Sequence, residues 1–312
     1  MNSIILAFNA VFPLLAFMLL GYFLRSIKLL GENTASGMNK LVFKVFLPLS
    51  IFQSIYSADL RSAFDLKLAL FVAVTCVLFY VIISLTVGRS EKDRTISPVM
   101  VQGIHKSNYN LLAIPIVSSF FGSSIGMTAV LIVIITPIVN ICSTIAFESA
   151  RGESASVLKM LKKIILNPMV LSSLIGLIVS FSGIRIPALV MNGVVSKLAA
   201  LATPAAMLAL GSGFDLKAVK KWAGRLGIVC VGKLIVMPLI IVAAAVLIGI
   251  RGADLIAVLI YSGSPTAVNS YSTAVSMGGN EELAGEIVAV TSLLSVFSLF
   301  AFLSILGSMG LL

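Results

Sequence analysis

Two long apolar segments of the chain each carry a cluster of polar and helix-breaking residues. The first cluster comprises Lys106, Ser107, Asn108, Asn110 and Pro115, and the second comprises Gly263, Ser264, Pro265, Thr266 and Asn269. Ammonium, hydroxyl and amide groups in hydrocarbon must find partners, and the free backbone groups of a broken helix can join them in binding a ligand. These residue types suit recognition of a small solute. We therefore expect two interrupted helices that cross, with breaks near Asn108 to Pro115 and near Gly263 to Asn269 that face each other, and with the polar residues as substrate ligands.

Lys106 is the deepest cation in these segments. It lies about nine residues into its apolar run. At 1.5 Å per helical residue, its Cα is roughly 13 Å from the edge of the run. No Asp or Glu lies in the central part of any apolar run, so an anionic substrate could supply the missing charge. Carbonyl groups exposed by the helix break are the alternative partner. Lys233 is shallower in its own run and is interpreted as a snorkelling or packing residue.

Structural alternatives remain for the other residues of the two clusters. Pro115 and Pro265 could be ordinary kinks, and the three hydroxyl residues could bond back to helix carbonyls. Asn108 and Asn269 favour a cavity or a helix break over a plain interhelical hydrogen bond.

The remaining candidates for chemistry are few. His105 is the single histidine and could titrate in a proton-coupled cycle, or be a hydrogen-bonded structural residue. The three cysteines have no CxxC spacing, so we expect neither a metal site nor a cofactor. Glu148 and Glu286 fall at span ends and are interpreted as interface residues. The lack of carboxylates in mid-span argues against a cation antiporter.

Composition identifies the elements that must position these residues. Of 312 residues, 59% are hydrophobic and 11% are charged, and the mean hydropathy is +1.12. Continuous apolar runs of this length predict membrane helices rather than a β-barrel. We predict an all-α protein with one membrane domain and ten approximate spans: 4–24, 39–57, 67–88, 98–121, 126–147, 166–184, 194–213, 226–250, 254–277 and 283–307.

Charge predicts the orientation of these spans. The net charge of +10 is spread between apolar runs, which favours a positive-inside signature over nucleic-acid binding. Fifteen Lys and Arg residues fall on one side of the predicted spans and five on the other. Both termini are therefore expected outside the cell, with the lipid bilayer as the surroundings of the chain.

The two halves of the chain are similar to each other. Pro13 to Gly21 matches Pro168 to Gly176 at an offset of about 155 residues, and two further pairs of spans match at 155 or 156. This spacing predicts two repeats, at about 1–150 and 160–312. Five spans per repeat would invert the second copy, a plan that secondary transporters use for alternating access.

The residues from Pro265 to Asn269, the segment Gly278 to Glu282 and the segment Thr291 to Ser295 resemble the signature of the auxin efflux carrier family. The resemblance implies a ten-helix carrier that exports or exchanges organic anions such as auxin, malate or malonate. It places crossover prolines at Pro115 and Pro265 and a site asparagine at Asn108.

Two departures from the family pattern narrow this expectation. The loop after the fifth span is only about 18 residues long, which resembles prokaryotic members and implies a bacterial cytoplasmic membrane. His105 and Lys106 stand where related bacterial sequences have an aromatic residue and Arg. The expected function is secondary transport of small organic anions; a membrane receptor or sensor is the alternative, an enzyme is not expected, and a homodimer is left open.

Overall fold

The computed structural model describes residues 2–57, 65–121, 126–151, 162, 164–214 and 216–312. These ranges contain helices and no β-strand, which confirms the all-α class. The helices are α1 (Asn2–Ser26), α2 (Glu32–Leu41), α3 (Leu47–Tyr56), α4 (Leu66–Gly88), α5 (Ser97–His105), α6 (Tyr109–Phe121), α7 (Gly126–Ala150), α8 (Pro168–Ser182), α9 (Ala188–Gly213), α10 (Leu216–Lys221), α11 (Ala223–Leu247), α12 (Gly252–Gly263), α13 (Asn269–Met277) and α14 (Glu281–Ser308).

Several of these helices can cross a membrane. By length and composition, five described helices qualify: α4, the Val130–Ala150 part of α7, α9, α11 and α14. Shorter apolar helices lie at Phe12–Ser26, α8 and α12. Many large apolar side chains on outer faces are exposed, as at Leu247 (86%) and Leu189 (83%), and such a surface is compatible with lipid rather than with water. The chain is therefore a multi-pass membrane protein.

Local sequence signals fix several helix ends. Side-chain oxygens of Asp65, Asn167 and Asn280 accept hydrogen bonds from backbone N–H groups in the first turns of α4, α8 and α14, which caps otherwise unpaired donors. Gly183 and Gly278 follow α8 and α13 with φ of 70° and 74°. Glycine tolerates this left-handed conformation without steric cost, so it ends each helix.

Four π-helical segments occur among the helices of the described ranges. They are Val42–Phe46 between α2 and α3, Ser84–Gly88 at the end of α4, Met191–Val195 within α9 and Gly232–Val236 within α11. A π-turn bonds residue i to i+5 and is rare, and it occurs frequently near functional sites.

The tightest helix contact joins α1 to α9. A Cβ atom added at Gly211 would lie 1.9 Å from the carbonyl oxygen of Met18, and one added at Gly21 would lie 2.2 Å from that of Leu208. Each glycine thus receives the backbone of the other helix, as small residues do in membrane helix pairs. In addition, α3 packs on α8, α4 and α5 pack on α7, and α12 packs on α6 and α11.

Candidate functional site

Two helices are interrupted at the predicted polar clusters. After α5 ends at His105, Lys106 is extended (φ −86°, ψ 109°), and α6 begins at Tyr109. After α12 ends at Gly263, Ser264 is extended (φ −68°, ψ 159°), and α13 begins at Asn269. The two helix pairs therefore each leave a short stretch of backbone outside helical hydrogen bonding.

Pro115 does not mark the first interruption, which lies at residues 106–108 instead of between Asn108 and Pro115. Pro115 is inside α6, and its side chain lies outside the described part of the structure. Membrane helices tolerate an internal proline because neighbouring groups can satisfy the carbonyl that it frees. The proline is thus a poor marker of where the helix breaks.

The two interrupted segments pair with each other in antiparallel fashion. Asn108 N donates to Pro265 O at 2.9 Å, and Ala267 N donates to Lys106 O at 3.0 Å. These bonds satisfy backbone groups that the helix breaks leave free. The pairing holds the adjoining ends of α5, α6, α12 and α13 together.

The hydroxyl groups at the centre of the pairing are engaged with protein atoms. Thr266 Oγ1 donates to the carbonyl of Gly103 at 2.6 Å. Ser107 Oγ donates to the carbonyl of Tyr261 and accepts from the ammonium of Lys233. Thr266 thus ties the segment after α12 to α5, and Ser107 ties the segment after α5 to α12 and α11. These bonds are the structural alternative to ligand contact.

Of the two interpretations of Lys233, snorkelling is wrong, whereas packing agrees with its burial. Its side chain is fully buried (0% exposed) in the π-helical segment of α11. Besides bonding Ser107, its ammonium lies 3.9 Å from Met237 Sδ. Position along a span gives the distance of a residue from the membrane edge but not the helix face on which it lies, and Lys233 lies on the inner face.

Lys106 is a buried cation without a protein partner among the described residues. Its side chain is 2% exposed, and within the described part of the chain its Nζ has neither a hydrogen bond nor an ion pair. It lines a cavity of about 80 Å³. An isolated ammonium in such surroundings is costly unless an anion or water reaches it.

The same cavity collects further unsatisfied polar atoms. Asn108 Nδ2, Asn269 Oδ1 and both Nδ2 and Oδ1 of Asn140 find no hydrogen-bond partner among the described residues. All three asparagines line the cavity, and Asn140 is 2% exposed. Asn140 comes from α7, which lies outside the two predicted clusters. The available sequence signal was a third polar position in an apolar span, close to Pro137.

The other predicted site residues lie elsewhere. Gly263 is the last residue of α12, Ser264 Oγ is buried without a hydrogen-bond partner in the described ranges, and Asn110 belongs to α6 with a side chain outside the description. His105 Nε2 donates to the Cys76 carbonyl at 2.9 Å, and its ring packs edge-on against Tyr80. His105 therefore faces α4 rather than the cavity, and its proton-coupling role stays a prediction.

A second, larger cavity of about 440 Å³ lies between α1, α2, α9, α13 and α14. Its wall carries Arg25, Glu32, Glu281, Glu282 and Glu286. Glu286, interpreted as an interface residue, is 2% exposed and lies on this inner wall. The lining of this cavity is more polar than that of the small one at Lys106.

Removing the Ser107 hydroxyl tests the link between α11 and the helix interruptions. Ser107→Ala leaves the Lys233 ammonium buried without its acceptor, so we expect the free energy of unfolding to fall by about 1–3 kcal/mol. Thermal unfolding of the purified protein measures this change. Ser182→Ala is the matched control because its hydroxyl is exposed and bonds only to Val179 O; an equal loss in both variants would contradict the linking role.

The sequence profile described as "Membrane transport protein" matches residues 6–303. The chain belongs to this family. The match confirms the resemblance to the auxin efflux carriers. An uncharacterized transporter of Methanothermobacter thermautotrophicus is 24% identical over 292 residues, which cover 93% of this chain and 95% of the relative. Another uncharacterized transporter, of Methanocaldococcus jannaschii, is 24% identical over 275 residues, with 83% and 86% covered.

In this membrane transport protein the groups around the small cavity suit binding more than reaction. Within the described residues, no group of three or more His, Cys, Asp or Glu could hold a metal ion. The cavity offers an ammonium, amides and hydroxyls, which are donors and acceptors for a solute. Its described lining contains one cation and no carboxylate, which suits an anion.

Proposed function

We propose that this protein is a secondary transporter that exports or exchanges small organic anions by alternating access. The cavity of about 80 Å³ is the substrate site. The observation that carries the proposal is the Lys106 ammonium, which is buried, lines this cavity and has no partner among the described residues. A carboxylate in the cavity would supply the missing counter-charge and accept hydrogen bonds from neighbouring amides.

The proposal includes ten spans in two inverted repeats. Counting α2 with α3, α5 with α6, and α12 with α13 as single spans, and omitting the short α10, gives five spans on either side of residues 152–161. The π-helical segments support this division. Val42–Phe46 and Ser84–Gly88 fall in the second and third spans, and Met191–Val195 and Gly232–Val236 fall in the seventh and eighth. Each half thus carries a π-turn in its second and third span.

The larger cavity supplies a route to the site. It lies beside Arg25, which charge distribution places on the cytoplasmic side. We assign it as the inner vestibule, from which an anion reaches the paired interruptions through rearrangement around α13. The bilayer is the cytoplasmic membrane of a prokaryotic cell, with both termini outside.

Transport by the purified protein in proteoliposomes tests the function. Vesicles loaded with unlabelled carboxylates should accumulate an external labelled carboxylate by exchange, whereas protein-free vesicles should not. Saturable binding without accumulation would indicate a receptor and would contradict the proposal. Neither binding nor exchange across a panel of small carboxylates would contradict anion recognition altogether.

Single introduced cysteines test the orientation. We expect Lys92→Cys to react with a membrane-impermeant thiol reagent only after cells are opened, and Arg185→Cys, between α8 and α9, to react in intact cells, because their loops lie on the basic and the less basic side. Both residues are exposed. The native Cys76, Cys142 and Cys230 are buried, which keeps the background low. The reverse labelling pattern would refute the orientation.

A further inference from the structure

We infer that the substrate is a small monocarboxylate that also carries a hydrogen-bond donor, a 2-hydroxymonocarboxylate of the size of glycolate or lactate. The inference rests on the proposed function and names its substrate class. Three properties of the cavity around Lys106 support it: its charge, its unsatisfied polar atoms and its volume.

The charge of the site matches one carboxylate. Among the described residues that line the cavity, Lys106 is the only Lys or Arg, and none is Asp or Glu. The second buried lysine, Lys233, directs its ammonium to Ser107. A dicarboxylate would therefore bring one buried negative charge without a cation in the lining, and an uncompensated buried charge is strongly unfavourable.

The unsatisfied atoms call for a ligand with both acceptors and a donor. Asn108 Nδ2 and Asn140 Nδ2 can donate to carboxylate oxygens, but Asn140 Oδ1 and Asn269 Oδ1 are acceptors, and an ionised carboxylate has no proton to give them. Turning the Asn140 amide by 180° exchanges its two atoms and still leaves one donor and one acceptor unpaired. A hydroxyl beside the carboxylate satisfies this second requirement.

The volume limits the size of the ligand. A cavity of about 80 Å³ compares with about 30 Å³ for each molecule in liquid water. It therefore accommodates a group of only a few heavy atoms. Glycolate and lactate meet this limit, whereas an acid with a fused aromatic ring system exceeds it.

Competition during exchange tests the substrate class. Proteoliposomes that contain the full chain are loaded with unlabelled lactate and given labelled lactate outside at neutral pH. Unlabelled lactate, propionate or malonate is added outside as the competitor. Propionate has the carbon skeleton of lactate without the hydroxyl, and malonate carries a second carboxylate. We expect lactate to compete at least about tenfold more strongly than either, because a site built to bond a hydroxyl discriminates against analogues that lack it.

A variant connects this preference to the amide. Asn140→Leu removes one of the two acceptors and should lower competition by lactate towards that by propionate, while Asn192→Leu, at an exposed position of α9, should leave the preference unchanged. Equal or stronger competition by propionate or malonate in the unmodified protein would overturn the substrate class while leaving anion transport in place. If only water occupied the cavity during transport, Asn140→Leu would not change the preference, which would also overturn the inference. Failure to exchange lactate, propionate or malonate, with each tested as the labelled anion, would reject the proposed function itself.

Discussion

Lys106→Ala is expected to reduce anion exchange by at least about 30-fold at limiting substrate. Loss of one partner from a buried ion pair costs about 2–5 kcal/mol, and each 1.4 kcal/mol corresponds to a factor of ten. The ammonium is 2% exposed and lines the small cavity, so water cannot readily replace it. The rate of labelled-anion exchange in proteoliposomes, normalised to folded protein, measures the effect.

Stability separates substrate binding from a structural role of this lysine. If the Lys106 ammonium merely paired with carbonyls freed by the helix break, the variant would unfold at lower temperature and exchange anions normally per folded molecule. That result would reject the binding role. Lys92→Ala is the control, since Lys92 is exposed on the loop after α4. Lys233→Ala does not serve as an inert control, because the ammonium of Lys233 bonds to Ser107.

Gly211→Ala is expected to destabilise the protein by about 3 kcal/mol. The added Cβ would lie 1.9 Å from the Met18 carbonyl oxygen, and backbone cannot rotate away as a flexible side chain can. The α1–α9 pair must therefore separate, and overpacking of this kind costs about 1–3 kcal/mol or more. Thermal or denaturant unfolding in detergent measures the change, and Gly21→Ala should behave in the same way.

Gly224→Ala provides a control with the opposite expected sign. Gly224 lies in α11, and no atom of another described helix lies within 4 Å of an added Cβ. Alanine is the better helix former by about 1 kcal/mol, so this variant should be unchanged or more stable. Similar destabilisation at Gly224 and Gly211 would show that the α1–α9 contact is not the cause.

The helical class and the position of Lys106 were accessible from the sequence for physical reasons. Continuous apolar runs leave helices as the simplest way to satisfy backbone groups in a bilayer. Charged and amide side chains are rare in such runs, so Lys106 and Asn108 were conspicuous. The structure places both beside the interruption between α5 and α6.

The residues that other helices bring to this site were not accessible in the same way. Lys233 and Asn140 come from other helices, and their approach to the site depends on how α11 and α7 are rotated about their own axes. Both helices carry apolar residues on all their faces. Hydrophobic periodicity therefore gives little information on that rotation. The break was predicted too close to Pro115 because a proline restricts a helix locally without having to end it.

The π-helical segment around Lys233 has a consequence for helical phase. Each residue of an α-helix advances the azimuth by about 100°, and a π-turn holds one more residue than an α-turn. Deleting one residue from Gly232–Val236 would restore α-helical hydrogen bonding and rotate Met237–Leu247 by about that angle relative to the preceding half of α11. Residues such as Leu239, now on the outside, and Ile241, now buried, would then lose their present orientation. The length of this segment is therefore constrained more strictly than the identity of its apolar side chains.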